Sequence, residues 1–386
     1  MAWKVDSVVE QRLEFVALAT AEAANVAELC RRFGIARKTG YKWLGRHREA
    51  GGSGLGDRSR RPERSPERTA AEVEARVVAL RLEHPAWGGR KLRRRLADIG
   101  MTPVPAASTI TDILRRRGLI DRSREPSKPW TRFERERPNE LWQMDFKGRF
   151  ALADGSRCHP LTVLDDHSRY SLVLEACADE RGATVRTKLE SAFRRYGLPE
   201  AMLMDNGSPW GDDRESRWTP LGVWLARLGV RSRHGRPYHP QTQGKEERFH
   251  RTLKAEALAG RTLVDLADSQ RRFDRWRSVY NAERPHEALA LATPASRCRA
   301  SVRSYPERPP AMEFSPIDVV RRVCDGGRFS FRGRVWRVSK AFKGEAVGVR
   351  PTTTDGCWEV WFGVNLLGRL DERGAADSRR ADEIQD

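Results

Sequence analysis

Apolar residues recur at helical spacing over 8–22, at Val8, Val9, Leu13, Val16 and Ala17. The spacing continues through two shorter stretches, Val26–Phe33 and Ala36–His47. Gly34 marks a tight turn between them and Ile35 an apolar plug after it. That pattern predicts a helix-turn-helix. Its second helix carries Gly40, a residue that costs about 1 kcal/mol relative to Ala in a helix interior. A second helical module follows over 69–120. It has one helix at Ala70–His84, one in the run closed by Gly100, and a third for which Ser108 is the expected N-cap. The stretches 51–68 and 121–138 are rich in Gly, Ser, Pro and Arg and read as linkers.

After residue 139 the period changes. The runs 141–152, 159–170 and 171–177 alternate as three consecutive strands, with Gly155 and Asp166 in the turns. A helix over Thr184–Tyr196 ends at Gly197. The apolar run before Asp205 makes a fourth strand, Trp218–Leu228 a helix, and 230–234 a fifth strand. Further helices begin by Lys245 and at Leu263. Three antiparallel strands followed by alternating helices and strands is the order of a ribonuclease-H-like α/β core over 139–300, with a mixed five-stranded sheet flanked by helices. Residues 301–372 read as short strands between Gly turns, a small all-β barrel. Residues 373–386 read as a solvated tail. The fold class expected is therefore multidomain, with all-α modules at 1–50 and 69–120, the central α/β core and the C-terminal barrel.

The helix beginning by Lys245 sorts its side chains by rotation of about 100° per residue. Phe249, Leu253 and Ala257 form an apolar stripe, and Glu246 turns toward it. Glu247, Arg251 and Lys254 share another face. Either glutamate is a candidate functional acid, and the geometry favours Glu247. Two strand-borne aspartates precede it, Asp145 and Asp205. Two aspartates and a glutamate are the hard oxygen donors that a two-metal phosphoryl-transfer site needs, with Mg²⁺ or Mn²⁺ as the ions. Other polar residues have plainer readings. Asp165 and Asp166 sit at a strand end, where acids cap turns. Trp142 and Trp210 read as core, and Asp212, Asp213 and Glu215 as a solvated loop. His234, Tyr238 and His239 pack or contact nucleic acid.

Charge sharpens the picture. The 386 residues carry a formal net charge of +19, and the first 130 hold 27 Lys and Arg against 16 Asp and Glu. A protein this basic is expected to meet nucleic acid. In the first module Arg37, Lys38, Tyr41, Lys42 and Arg46 could reach phosphates and guanine edges. The alternative is a three-helix packing module with a solvated basic face. Mean hydropathy is −0.68, no apolar run approaches a membrane span, and no signal pattern is present. A cytoplasmic, nucleoid-associated protein is expected. Six scattered cysteines argue against a disulfide framework or a Cys-based zinc module.

Five motifs, WQMDFKG, TVLDDHSRY, MDNGSPW, HPQTQGKEERFHRTLK and YNAERPHEAL–TPA, stand in this order between about 140 and 295. With them the chain resembles the integrase-core transposases of bacterial insertion sequences, insertion-sequence 481 type, which are related to retroviral integrases. The resemblance implies a transposase that binds the terminal inverted repeats of its element. It would cleave the ends and join the 3′-hydroxyls to target DNA, acting as a homodimer or higher homo-oligomer. Asp145, Asp205 and Glu247 take the places of the D-D-E triad, with 41 residues between the last two. Arg251 and Lys254 would hold DNA phosphates. No His/Cys cluster like that of the retroviral N-terminal module is present, so no zinc is expected. Two rival readings are a DNA-binding regulator with an inactive core and a nuclease that cuts without joining.

Overall fold

The fold was described from a computed structural model, which covers residues 7–58, 69–120, 134–211, 218–234, 244–309 and 311–373, with the backbone of 382–383. The expected linkers, the acids at 212–215, Tyr238, His239 and the tail beyond 373 lie largely or wholly outside these residues. The chain divides into two compact units, 1–68 and 69–386.

In the first unit, α1 (Val8–Ala19) opens on a capping box between Ser7 and Glu10. Its buried side chains are Phe15 and Val16, whereas Val8, Val9 and Leu13 of the expected stripe are exposed. Asn25 caps α2 (Val26–Arg32) through the amides of Ala27 and Glu28. Gly34 turns the chain at φ +63°, and the Ile35 amide donates back to the Cys30 carbonyl. Next comes α3 (Arg37–Ala50). Gly40 in its first turn has a steric reason: a Cβ there would meet Cys30 Sγ at 2.6 Å and Phe15 Cζ at 2.9 Å. The helices cross where only glycine fits, so packing outweighs propensity.

The second unit begins with α4 (Ala71–Glu83), α5 (Gly89–Asp98) and α6 (Ala107–Arg116) around Val77, Trp87, Leu92, Leu96, Ile110 and Leu114. Ser108 is not the cap of α6. The N-cap is Ala106, with no side-chain hydrogen bond, and Ser108 lies inside the first turn.

The central sheet contains β1 (Trp142–Phe146), the two-residue β2 (Phe150–Ala151), β3 (Arg157–Asp165), β4 (Ser171–Cys177), β5 (Ala201–Met204) and β6 (Arg231–His234). The order is β2-β3-β1-β5-β6, with β4 also paired to β3. β1, β3 and β4 pair antiparallel; β5 joins β1 and β6 in parallel. The sheet is mixed as expected, with the two-residue strand as an addition. Apolar side chains on one face (Trp142, Met144, Leu161, Val163) pack on α7 (Gly182–Tyr196) and α8 (Pro220–Arg227). On the other, Leu164 and Leu174 join Phe249, Leu253, Ala257, Phe273, Trp276 and Tyr280 from α9 (Gly244–Leu253), the π-helical turn Lys254–Leu258 after it, and α10 (Leu266–Ala282).

The helices 71–116 pack on this core. Val279 of α10 joins their apolar cluster, Arg95 pairs with Glu283, and Arg90 lies 3.6 Å from Glu287. The C-terminal strands form two small sheets: β7 (Val319–Arg322), β10 (Ala346–Pro351), β11 (Cys357–Phe362) and β12 (Asn365–Asp371) in one, and β8 (Arg328–Phe331) and β9 (Arg334–Arg337) in the other. They close on a shared core that includes Val223 and Ala226 of α8.

Candidate active site

Strand pairing decides which acids meet. Gln143 of β1 stands beside Leu203 of β5 in parallel register, so two residues further on Asp145 falls level with Asp205. Across the antiparallel pair, Asp145 faces Thr162 of β3. Trp142 and Met144 point into the α7–α8 side, so Gln143, Asp145 and Thr162 present toward α9. The helix returns Glu246 and His250 to that face. Thr162 Oγ1 lies 3.0 Å from Glu246 Oε2 and 2.9 Å from His250 Nε2. Glu247, on the neighbouring stripe, is exposed.

The Asp145 carboxyl is pushed up to about 7. Burial is the largest cause, and the nearby charges of Asp205, Glu180 and Glu247 add to it. Asp205 and Glu247 therefore each lie within electrostatic reach of Asp145. Among the described residues, no three His, Cys, Asp or Glu side chains are drawn together into a finished metal cage. Carboxylates facing one another repel, and a dication offsets that repulsion. The donor chemistry, three carboxylates from β1, the end of β5 and α9, fits a hard divalent ion.

Asp205 is held through its own loop. Its Oδ1 accepts from the Gly207 amide at 3.2 Å, and its carbonyl lies 2.8 Å from His234 Nδ1. Glu246 has different surroundings from Glu247. It is 1% exposed, its Oε1 has no hydrogen-bond partner among the described residues, and burial beside Asp145 raises its carboxyl well above the usual range. The rotation argument placed Glu246 on the inward side. It did not reveal that Thr162 and His250 would receive it there. His250 is itself pushed down to about 4 by burial and by Lys147, so its contacts with Asp145 (3.9 Å) and Glu246 (3.6 Å) are not ion pairs at neutral pH.

On the outer rim Arg251 and Lys254 are exposed, without acidic partners among the described residues. Lys147, in the turn after β1, stands near enough to Lys254 for the two cations to repel. Sequence reading missed Lys147. Its only signal was its place two residues after Asp145.

In the first unit Arg37, Lys38, Tyr41 and Lys42 are exposed, Tyr41 at 61%. Arg46 is half-buried, and Lys42 and Arg46 stack on Trp43 at 4.3 and 5.0 Å from the ring centroid. These two therefore also cover the core. Asp165 and Asp166 are buried and saturated. Asp165 accepts from the amides of Asn139 (2.8 Å) and Ser168 (2.7 Å) and from the Ser168 hydroxyl (2.5 Å). Asp166 accepts from Gln143 Nε2 at 2.5 Å, from the Arg135 amide at 2.8 Å and from Lys245 Nζ. Trp142 and Trp210 are core, at 0% and 2% exposure.

Comparison with known proteins agrees with this layout. The family described as "IS481 family transposase, C-terminal domain" matches residues 318–377, and "Integrase core domain" matches 135–240 and, in a second version, 228–294. "Helix-turn-helix domain" matches 11–63 and "Homeodomain-like domain" 39–114. The chain is 28% identical over 254 residues to an uncharacterized 31.7 kDa protein of insertion element IS407 from Burkholderia multivorans, covering 64% of this chain and 88% of that one. It is 29% identical to an uncharacterized 39.2 kDa protein of insertion element IS476 from Xanthomonas euvesicatoria, covering 58% and 63%. Among solved structures, the HTLV-2 integrase catalytic core domain in complex with magnesium aligns at 13% identity over 42% of this chain and 97% of that one, with a TM-score of 0.33. The chain thus combines matches to helix-turn-helix domains, to an integrase core and to the C-terminal domain of insertion-sequence 481 transposases, and its relatives are insertion-element proteins.

Proposed function

We propose that this transposase binds the terminal inverted repeats of its element, cleaves the element ends and joins their 3′-hydroxyls to target DNA by two-metal-ion phosphoryl transfer. The observation that carries the reading is the convergence at Asp145, whose carboxyl is raised to about 7 partly by the charges of Asp205 and Glu247. Asp145 would hold both ions, and Asp205 and Glu247 one each. Bound there, Mg²⁺ or Mn²⁺ supplies activation of the attacking hydroxyl and stabilisation of the leaving oxygen. Lys147, Arg251 and Lys254 would steady the DNA phosphates beside the acids. The module at 1–50 would grip the element ends through Arg37, Lys38 and Tyr41, with Lys42 and Arg46 shared between DNA and Trp43. Residues 69–120 would add a second DNA contact, 139–300 the chemistry, and 301–372 a further module. Pairing of two element ends calls for a dimer or larger assembly, acting on DNA in the cytoplasm.

The test is a strand-transfer assay with labelled element ends, Mg²⁺ and supercoiled target. Asp145→Asn, Asp205→Asn and Glu247→Gln should each lose cleavage and joining to background while retaining end binding. A single variant that joins ends at the wild-type rate removes that residue from the site. Cleavage without joining by the wild type would favour a nuclease, and neither activity a regulator. Lys38→Ala in the full chain should lower the salt slope of end binding by about one.

A further inference from the structure

The acid that joins the two halves of the site is not one of the three that face it. Asp166 follows β3 and is 1% exposed. Its Oδ1 accepts from Gln143 Nε2 and pairs with Lys245 Nζ, and its Oδ2 accepts from the Arg135 amide at 2.8 Å. Gln143 lies on β1 two residues before Asp145, on the same face of the strand. Lys245 lies on the first turn of α9, two residues before Glu247. One buried carboxylate therefore ties together the two elements that carry the first and third acids, at equivalent offsets from each. The Lys245 side chain is only 18% exposed. A buried pair of this kind contributes little net stability, since desolvation offsets its Coulomb attraction, but it is strict about geometry. Among the described residues, α9 also meets this sheet face through Glu246 and His250, which contact Thr162, and through Phe249 and Leu253, which pack with Leu164 and Leu174.

We propose that Asp166 and Lys245 are positioning residues. They form a clasp that sets the separation and the helical phase of Glu247 relative to Asp145, and so the affinity of the carboxylates for divalent ions. Neither touches the reacting atoms. This rests on the reading of Asp145 and Glu247 as metal ligands, and the experiment separates the two claims.

Mn²⁺ binding to the full-length, DNA-free protein is measured by electron paramagnetic resonance, and amide hydrogen exchange is followed at Arg248–His250. Four variants are compared with wild type: Lys245→Met, the double variant Asp166→Asn/Lys245→Met, Glu247→Gln, and Arg350→Met. The last breaks a salt bridge to the buried Asp318 in the C-terminal sheets, 2.8 Å long, and controls for destabilisation alone. Lys245→Met should weaken Mn²⁺ binding about tenfold, the scale on which groups behind metal ligands act. It should speed exchange in α9 by a similar factor. The double variant leaves no uncompensated buried charge, so it folds even where the single variant does not. It should show the same weakening. Arg350→Met should leave Mn²⁺ binding and α9 exchange unchanged. Wild-type Mn²⁺ binding in the double variant overturns the clasp, as does equal weakening in Arg350→Met. If Glu247→Gln binds Mn²⁺ like wild type, the reading of the site falls. If Glu247→Gln weakens binding and the double variant does not, the clasp alone falls.

Discussion

Two groups of acids lie on the same sheet, and they are built in opposite ways. Asp165, the last residue of β3, and Asp166, in the turn after it, are surrounded by donors: backbone amides, a hydroxyl, an amide side chain and an ammonium. Asp145, on the neighbouring β1, has Asp205, Glu180 and Glu247 as electrostatic company instead. The fold has satisfied the first pair from within the chain. In the second group the charges of Asp205, Glu180 and Glu247 raise the Asp145 carboxyl, and a divalent ion would offset that repulsion. A carboxylate raised by like-charged neighbours points to function more strongly than one satisfied by donors.

The contrast predicts substitutions of opposite sign. Asp165→Ala strands two buried amides and a hydroxyl, each of which loses its acceptor. We expect a loss of roughly 2–4 kcal/mol in unfolding free energy, read from denaturant midpoints in chelator. A loss within error would mean that the turn is not held by this carboxylate, and the comparison would break at its first term.

Asp145→Asn should do the reverse in chelator. The folded carboxyl titrates near 7, against 3.8 in the unfolded chain. The unfolded chain therefore releases its proton first as pH rises. Asp145 subtracts stability over the window from about 4 to about 7, and the deficit is then fully developed. Asparagine has no such titration. Asp145→Asn should accordingly melt higher than wild type at pH 7.5, with the difference shrinking toward pH 4, and saturating Mg²⁺ should cancel the advantage by stabilising only the wild type. A variant that melts lower than wild type at every pH would show that Asp145 is held by partners, like Asp165.

Much of this contrast could be read from the sequence, and part could not. That Asp145 lies on a strand, Asp205 at a strand end and Glu247 on a different helix face from Glu246 was legible, because strand alternation and helical rotation are local and depend only on period. Asp165 and Asp166 were legible as turn residues for the same reason. Partners distant in sequence were not. Lys245 meets Asp166 across 79 positions, and Arg95 meets Glu283 across 188. No local pattern encodes either pairing. Ser108 failed as a cap because the N-cap of α6 is Ala106, two residues earlier. Val8, Val9 and Leu13 kept the helical period yet stayed exposed, since only the Phe15–Val16 part of α1 faces α2 and α3.

Glu246 tests the comparison most finely, because it belongs to neither group. It is as buried as Asp166 and lies beside Asp145, yet one oxygen has only Thr162 and His250 for company and the other has no hydrogen-bond partner among the described residues. Burial, with Asp145 adding to it, raises its carboxyl well above the usual range and so favours the protonated form. A neutral carboxylic acid and a glutamine are close in shape, and an amide at this position can still bond to Thr162. Glu246→Gln should therefore keep cleavage and joining to within a few-fold, where Glu247→Gln loses both. Its effect on stability has the Asp145 sign. Below about pH 4.5 variant and wild type should melt alike. Above it the unfolded wild-type chain ionises before the folded one, so the variant gains an advantage that grows with pH. The measurement is a pair of melting curves at pH 4.5 and 8 in chelator, alongside the joining assay. If a folded Glu246→Gln protein cannot join ends, the inward acid is the ligand. Glu247, Arg251 and Lys254 would then lose their claim to the face that meets DNA.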